Sequence, residues 1–311
     1  MPSVLSAVLP IFALILAGWL ARRTGALGPH ATGEINRFVV YLALPALLFD
    51  IVAGAQPEAL WQPAFVASFG LGAAAVFVLA VVLRQGRPRH FADATIDGLN
   101  AAYSNAGFIG IPLALAVLGR DALVPALIAT IMTVCVLFAV AIVCVEIGLQ
   151  AERHPARMLA KVARQLLRNP LLVAPALGAL VLFSGFKVPA PAESFLKLLG
   201  GAASPCALVA LGLFLAERRP GPDRSARAAT MLVALKLVAQ PVVTWGLATQ
   251  VFGLAAPLVK TAVLLAALPT GTGPFMVAQF YRREAGLTSA VILASTVLSL
   301  ATITCYLALA G

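Results

Sequence analysis

Ser104-Asn105-Ala106-Gly107-Phe108-Ile109-Gly110-Ile111-Pro112-Leu113 lies in the middle of an apolar run over residues 99–119. A run of that length and character reads as a helix, yet Pro112 removes a backbone donor and crowds the carbonyl four residues earlier. Gly107 and Gly110 lower the cost of unwinding just before it. The run over 256–281 carries the same signature: Ala267-Leu268-Pro269-Thr270-Gly271-Thr272-Gly273-Pro274-Phe275. A lone proline is common in membrane helices and marks only a kink. Two matching Gly-x-Pro elements, flanked by Asn105, Thr270 and Thr272, point instead to a pair of broken helices.

The composition decides what surrounds these helices. Of 311 residues 61% are hydrophobic and 11% charged, with a mean hydropathy of +0.98. Soluble domains carry roughly 25% charged residues, so this chain lacks the surface that water requires. The apolar runs are about 20 residues long, the length of a helix through a ~30 Å hydrocarbon core and twice that of a barrel strand. Only helices satisfy their own backbone within such a run, which makes the fold all-α and integral to a membrane.

Ten such runs occur, over 4–21, 38–55, 61–83, 99–119, 122–149, 170–186, 194–216, 228–252, 256–281 and 287–310. The basic residues test the count. Arg22, Arg23, Arg37, Arg84, Arg87, Arg89, Arg153, Arg157, Lys161, Arg164, Arg168, Arg218, Arg219, Arg224, Arg227, Arg282 and Arg283 fall in the odd-numbered loops, 17 of the 22 in the chain. That alternation puts the odd loops in the cytoplasm and both termini outside. Arg22 and Arg23 follow the first run and nothing positive precedes it, the reverse of a cleaved signal peptide. The formal charge of +10 is explained by these loops, with no need of nucleic acid as a partner. Residues 150–169 read as a polar cytoplasmic linker between five spans in 1–149 and five in 170–311.

The two halves also repeat. Leu44-Pro45-Ala46-Leu47 answers to Ser204-Pro205-Cys206-Ala207-Leu208, and Pro112 to Pro274, at offsets of 160 and 162 residues. Five spans per copy is an odd number, so the second copy enters the membrane inverted. Inverted repeats with interrupted helices at matching places are the mark of secondary transporters, and the breaks mark the binding site.

Such a site suits an anion. A half-helix N-terminus offers unpaired N–H groups and about half a positive charge. The sequence places these near Phe108–Pro112 and Gly271–Phe275, with Ser104, Asn105, Gly110, Pro112, Thr270, Gly271, Thr272 and Pro274 as the candidate binding residues. Lys236 lies inside the eighth run, where a charge is costly unless it snorkels or faces a cavity; Gln240 and Pro241 follow it. Asn36, Asn100 and Tyr103 could line a vestibule, and Asn169 before Pro170 reads as a helix cap. Glu146 and Asp50 sit near run ends, as interfacial groups would. Ser295, Thr296, Ser299 and Thr302 form a stripe of the kind that packs helices together. Enzyme chemistry has no signature here: His30, His90 and His154 form no metal pair, no phosphate-binding loop is present, and Cys135, Cys144, Cys206 and Cys305 lie apart in apolar runs. No cofactor or metal is expected.

Ile35-Asn36-Arg37-Phe38-Val39, Ser104-Asn105 through Gly110-Ile111-Pro112-Leu113, Leu211-Gly212-Leu213-Phe214, and Ala267 through Gly271 with Pro274-Phe275 together resemble the auxin efflux carrier family. That family includes the plant PIN-formed exporters and many bacterial carriers, and the likeness runs through the whole chain. It implies a ten-helix fold related to the bile-acid sodium symporters, with helices four and nine broken and crossing at mid-membrane. It implies a scaffold of spans 1, 2, 6 and 7 that forms a homodimer, and an elevator-like transport domain of spans 3–5 and 8–10. Asn105 would bind a substrate carboxylate. The linker has the short bacterial length, and residues 61–83 lack the charged residue that plant members carry there. The reading is a bacterial inner-membrane carrier of a mono- or dicarboxylate such as malonate or malate. An anion channel, a binding-only receptor and an exporter of auxin-like aromatic carboxylates are the alternatives.

Overall fold

The computed structural model describes residues 4–86, 90–149, 163–164, 167–217 and 226–310, and among these the chain is almost entirely helical with no strand. In chain order the helices of eight or more residues are α1 (Val4–Thr24), α2 (Ala31–Ala53), α3 (Pro63–Arg84), α4 (Phe91–Ala102), α5 (Ala106–Leu118) and α6 (Arg120–Leu149). They continue with α7 (Pro170–Ser184), α8 (Ala190–Ala216), α9 (Ala226–Val251), α10 (Ala256–Ala266), α11 (Gly273–Phe280) and α12 (Ala285–Ala310). Six of them, α2, α3, α6, α8, α9 and α12, are long and apolar enough to cross a membrane. Most of the 150–169 linker, with Arg153, Arg157 and Lys161, lies outside the described residues, as do Arg87, Arg89, Arg218, Arg219 and Arg224.

Prolines shape several helices in one way. Pro45, Pro112 and Pro241 each follow a π-helical turn that ends two residues earlier, over Val39–Ala43, Ala106–Gly110 and Leu235–Ala239. A proline ring collides with the carbonyl four residues back, here that of Tyr41, Phe108 or Leu237. Each of those carbonyls lies inside the π-turn, whose wider loop makes room. The helix therefore runs on through the proline.

The chain divides into two compact units that interleave its sequence halves. The first holds Met1–Gln62, Gly107–Ile128 and Leu167–Arg218. Within it α1 packs along the second part of α8, α7 lies against α2, and α5 touches α1. Glycine sets the closest approach: a Cβ on Gly212 would stand 1.9 Å from the Ile15 carbonyl oxygen, and one on Gly18 2.2 Å from that of Val209. Small residues that let backbones meet are the usual means of membrane helix association. Asn169 caps α7, its Oδ1 accepting from Leu171 N at 3.0 Å ahead of Pro170.

The second unit holds Pro63–Ala106, Ala129–Leu166 and Arg219–Gly311. Its core joins α3, α4 and the second half of α6 through Phe77, Val81, Ile96, Leu99, Tyr103, Leu137 and Val145. α5 falls in the first unit, where it packs on α1, while α4 falls in the second.

Candidate functional site

Both expected helix interruptions are present. α4 ends at Ala102 and the chain resumes helix at Ala106; α10 ends at Ala266 and α11 begins at Gly273. Between them the two extended segments meet antiparallel, Ser104 opposite Thr270. Asn105 N donates to Pro269 O at 2.9 Å, and Gly271 N donates to Tyr103 O at 3.0 Å. Backbone groups that a continuous helix would have satisfied are thus paired across the crossing.

The first interruption differs in position from the expectation. Gly110 and Pro112 are helical, and the break lies at Tyr103–Asn105 instead of Phe108–Pro112. Pro112 is tolerated because it sits early in α5 behind its π-turn, so the proline marks the start of the new helix and the break precedes it. Pro274 likewise occupies the first turn of α11. Ser104, Asn105, Thr270, Gly271, Thr272 and Pro274 belong to the second unit, whereas Gly110, Pro112 and Asn36 belong to the first.

Gly271 and Gly273 have a packing reason to be glycine. A Cβ on Gly273 would lie 2.5 Å from Tyr103 Cζ and 2.6 Å from its hydroxyl; one on Gly271 would lie 2.9 Å from Tyr103 Cε1 and 3.3 Å from Asn105 Cα. The Tyr103 ring, itself edge-on to Phe138 at 6.2 Å, fills the space that side chains would take.

Around the crossing the polar groups are shared unevenly. Thr270 Oγ1 donates to Asn100 O at 2.8 Å, and Thr270 N donates to Ser295 Oγ at 3.1 Å. Asn100 Nδ2 donates to Thr288 Oγ1 at 3.0 Å. Ser295 thus does more than pack α12. Ser104 Oγ and Asn105 Nδ2, by contrast, are buried with no hydrogen-bond partner, on residues 1% and 4% exposed. A buried donor left unmet costs about 1–3 kcal/mol, so these two are ready to meet an acceptor on a ligand.

Lys236 does not snorkel. It is wholly buried, and its Nζ donates to Ala266 O at 2.7 Å, the last carbonyl of α10. Gln240 Nε2 donates to Ala102 O at 3.1 Å, the last carbonyl of α4. Neither role is visible in the sequence, which holds no sign of which carbonyl a lysine will reach.

At the other end of α4 lies a set of ion pairs that the sequence hides, because Asp93 and Asp97 look like loop residues. Asp97, fully buried, accepts from Arg84 Nε at 2.7 Å; Asp93 takes both Arg283 Nε and Nη2, at 2.5 and 2.8 Å. His90 caps the helix through Nδ1. Glu146 is buried, not interfacial, and accepts from the Tyr281 hydroxyl at 2.5 Å. Outside the long helices, the hydrogen bond that Arg283 donates to Asp93 raises the Arg283 pKa above its ordinary value.

The chain matches the model of the membrane transport protein family over residues 3–307. It is 35% identical to a Rhizobium meliloti protein named "Putative malonate transporter", over 98% of this chain and 95% of that one. An uncharacterized transporter of Methanothermobacter thermautotrophicus is 26% identical over 94% of each chain. Auxin efflux carrier component 8 of Arabidopsis thaliana is 24% identical over 97% of this chain and 96% of its own. With its long apolar helices and its match from end to end, the chain belongs to the membrane transport protein family, in which the auxin efflux carriers also fall.

Proposed function

We propose that this membrane transporter is a secondary carrier of small organic anions, a mono- or dicarboxylate such as malonate or malate, bound where the extended segment after α4 meets the extended segment after α10. The observation that carries the reading is the pair of unmet buried donors, Ser104 Oγ and Asn105 Nδ2, beside two helix interruptions. Helix N-termini there favour negative charge, and carboxylate oxygens accept from amide and hydroxyl donors. Thr272 and the backbone N–H of Gly273 complete the set. The name of the Rhizobium meliloti relative supports malonate as the first compound to try.

The ten spans form two inverted five-helix repeats in this reading, with both termini on the periplasmic side of a bacterial inner membrane. The reading includes an elevator-like motion that carries the site, whose extended segments 103–105 and 267–272 lie in the second unit. The first unit serves as scaffold and pairs with a second copy in a homodimer.

Purified protein in proteoliposomes tests this. Saturable malonate uptake, accelerated by unlabelled malonate inside, supports a carrier. Ohmic single-channel currents would make the protein an anion channel. Uptake of an indole carboxylate with none of malonate would move the reading to aromatic substrates, and ligand binding without flux would make it a receptor.

A further inference from the structure

A crossing of two interrupted helices brings together four helix ends of two kinds. The N-terminal ends attract anions and the C-terminal ends, with their unpaired carbonyls, attract cations. In carriers built this way, half-helix C-termini and unwound carbonyls are where coupling cations bind. Here several of those carbonyls, the terminal one of each helix among them, are already taken. On α4, Leu99 O accepts from Tyr103 N at 2.9 Å, Asn100 O from Thr270 Oγ1, and Ala102 O from Gln240 Nε2. On α10, Val263 O accepts from Ala267 N at 2.8 Å and Ala266 O from Lys236 Nζ.

One helix supplies the donor to both terminal carbonyls. Lys236 and Gln240 stand four residues apart on α9, the first inside the widened turn Leu235–Ala239 and the second directly after it, and both are fully buried. Among the described residues no carboxylate lies within ion-pair reach of Lys236, so the Ala266 carbonyl is what holds its amine in place. We propose that Lys236 and Gln240 set the charge selectivity of the crossing. By occupying the terminal carbonyl of each interrupted helix they close the position where its C-terminal end would hold a cation, and so favour an anion. They are positioning residues and do not themselves touch the ligand. The inference rests on the anion-site reading above and extends it to what the site rejects.

The test uses the purified full-length chain in detergent, with thermal unfolding followed in sodium chloride and in N-methyl-glucamine chloride at equal ionic strength, without carboxylate. Lys236→Met keeps the length of the side chain and loses the donor, which frees Ala266 O for a cation. Sodium then raises the unfolding midpoint of Lys236→Met and leaves that of the native chain and of Lys236→Gln unmoved. Sodium stabilisation of the native chain, or none of Lys236→Met, overturns the proposal. A second arm titrates malonate: Lys236→Met binds on the order of tenfold more weakly, while Lys236→Gln, which retains a donor, stays within about threefold. A Gln variant as weak as the Met variant would put the ammonium on the ligand and refute the positioning role. If no carboxylate binds the native chain, the anion-carrier reading fails, and the sodium arm still decides whether these ends are closed to cations. Should Lys236→Met not fold, Gln240→Leu poses the same question at Ala102.

Discussion

Gly273→Ala adds one methyl group where the structure has no room for it. The new Cβ would stand 2.5 Å from Tyr103 Cζ, 2.6 Å from its hydroxyl oxygen and 2.8 Å from Cε2, all well inside contact distance. The ring cannot swing aside freely, since Tyr103 is 7% exposed, packs edge-on against Phe138 and carries the backbone that accepts from Gly271. Overpacking of this kind costs about 1–3 kcal/mol. Alanine recovers at most about 1 kcal/mol over glycine in a helix, and less in a first turn. A net loss of about 1–2 kcal/mol follows. In a Tyr103→Ala background the obstacle is gone, and the same change becomes neutral or slightly stabilising. Unfolding of the four proteins in mixed detergent micelles gives the cycle, with an expected coupling of about 1–3 kcal/mol between the two positions. If Gly273→Ala costs the same in both backgrounds, the contact between the ring and the second crossing segment is not what requires glycine there.

Other expectations follow from the packing. Gly212→Ala drives a Cβ to 1.9 Å from the Ile15 carbonyl, a backbone atom that cannot rotate away; the variant loses monodispersity on size exclusion, and a normal profile would show that α1 and α8 are not so close. Asn169→Ala removes the cap of α7 and costs about 1 kcal/mol by thermal unfolding, with Asn169→Asp close to native. Arg283→Lys breaks the two-pronged contact with Asp93 as surely as Arg283→Ala does, because an ammonium cannot reproduce the fork. With Arg283 31% exposed the loss stays near 1 kcal/mol and shrinks in high salt; a lysine variant as stable as native would remove the fork from the account.

Much of this was legible in the sequence, and the failures have physical causes. The long apolar helices could be read because a bilayer imposes one length and one chemistry on every span. The interruptions could be read because paired Gly and Pro are expensive in a helix. The first was placed six residues late: Pro112 looks like a breaker, yet it sits where a new helix tolerates it, behind a π-turn that no residue type announces. Helix α4 starts at Phe91, eight residues before the apolar run at 99, because Asp93 and Asp97 are polar and only the folded chain shows Arg283 and Arg84 against them. Lys236 reads in the sequence as either snorkelling or facing a cavity. Its cost in the membrane was evident, but the carbonyl it reaches lies thirty residues away, at a helix end that exists only because of the break.

The claim on which the rest depends is that Asn105, with its buried and unmet amide, holds an organic anion at the crossing. Calorimetric titration of malonate into native protein and Asn105→Ala tests it directly. Removing a buried donor to a charged acceptor costs about 1.5–3 kcal/mol, so the variant binds at least tenfold more weakly with its unfolding midpoint little changed. Equal affinity in the two proteins would contradict the account.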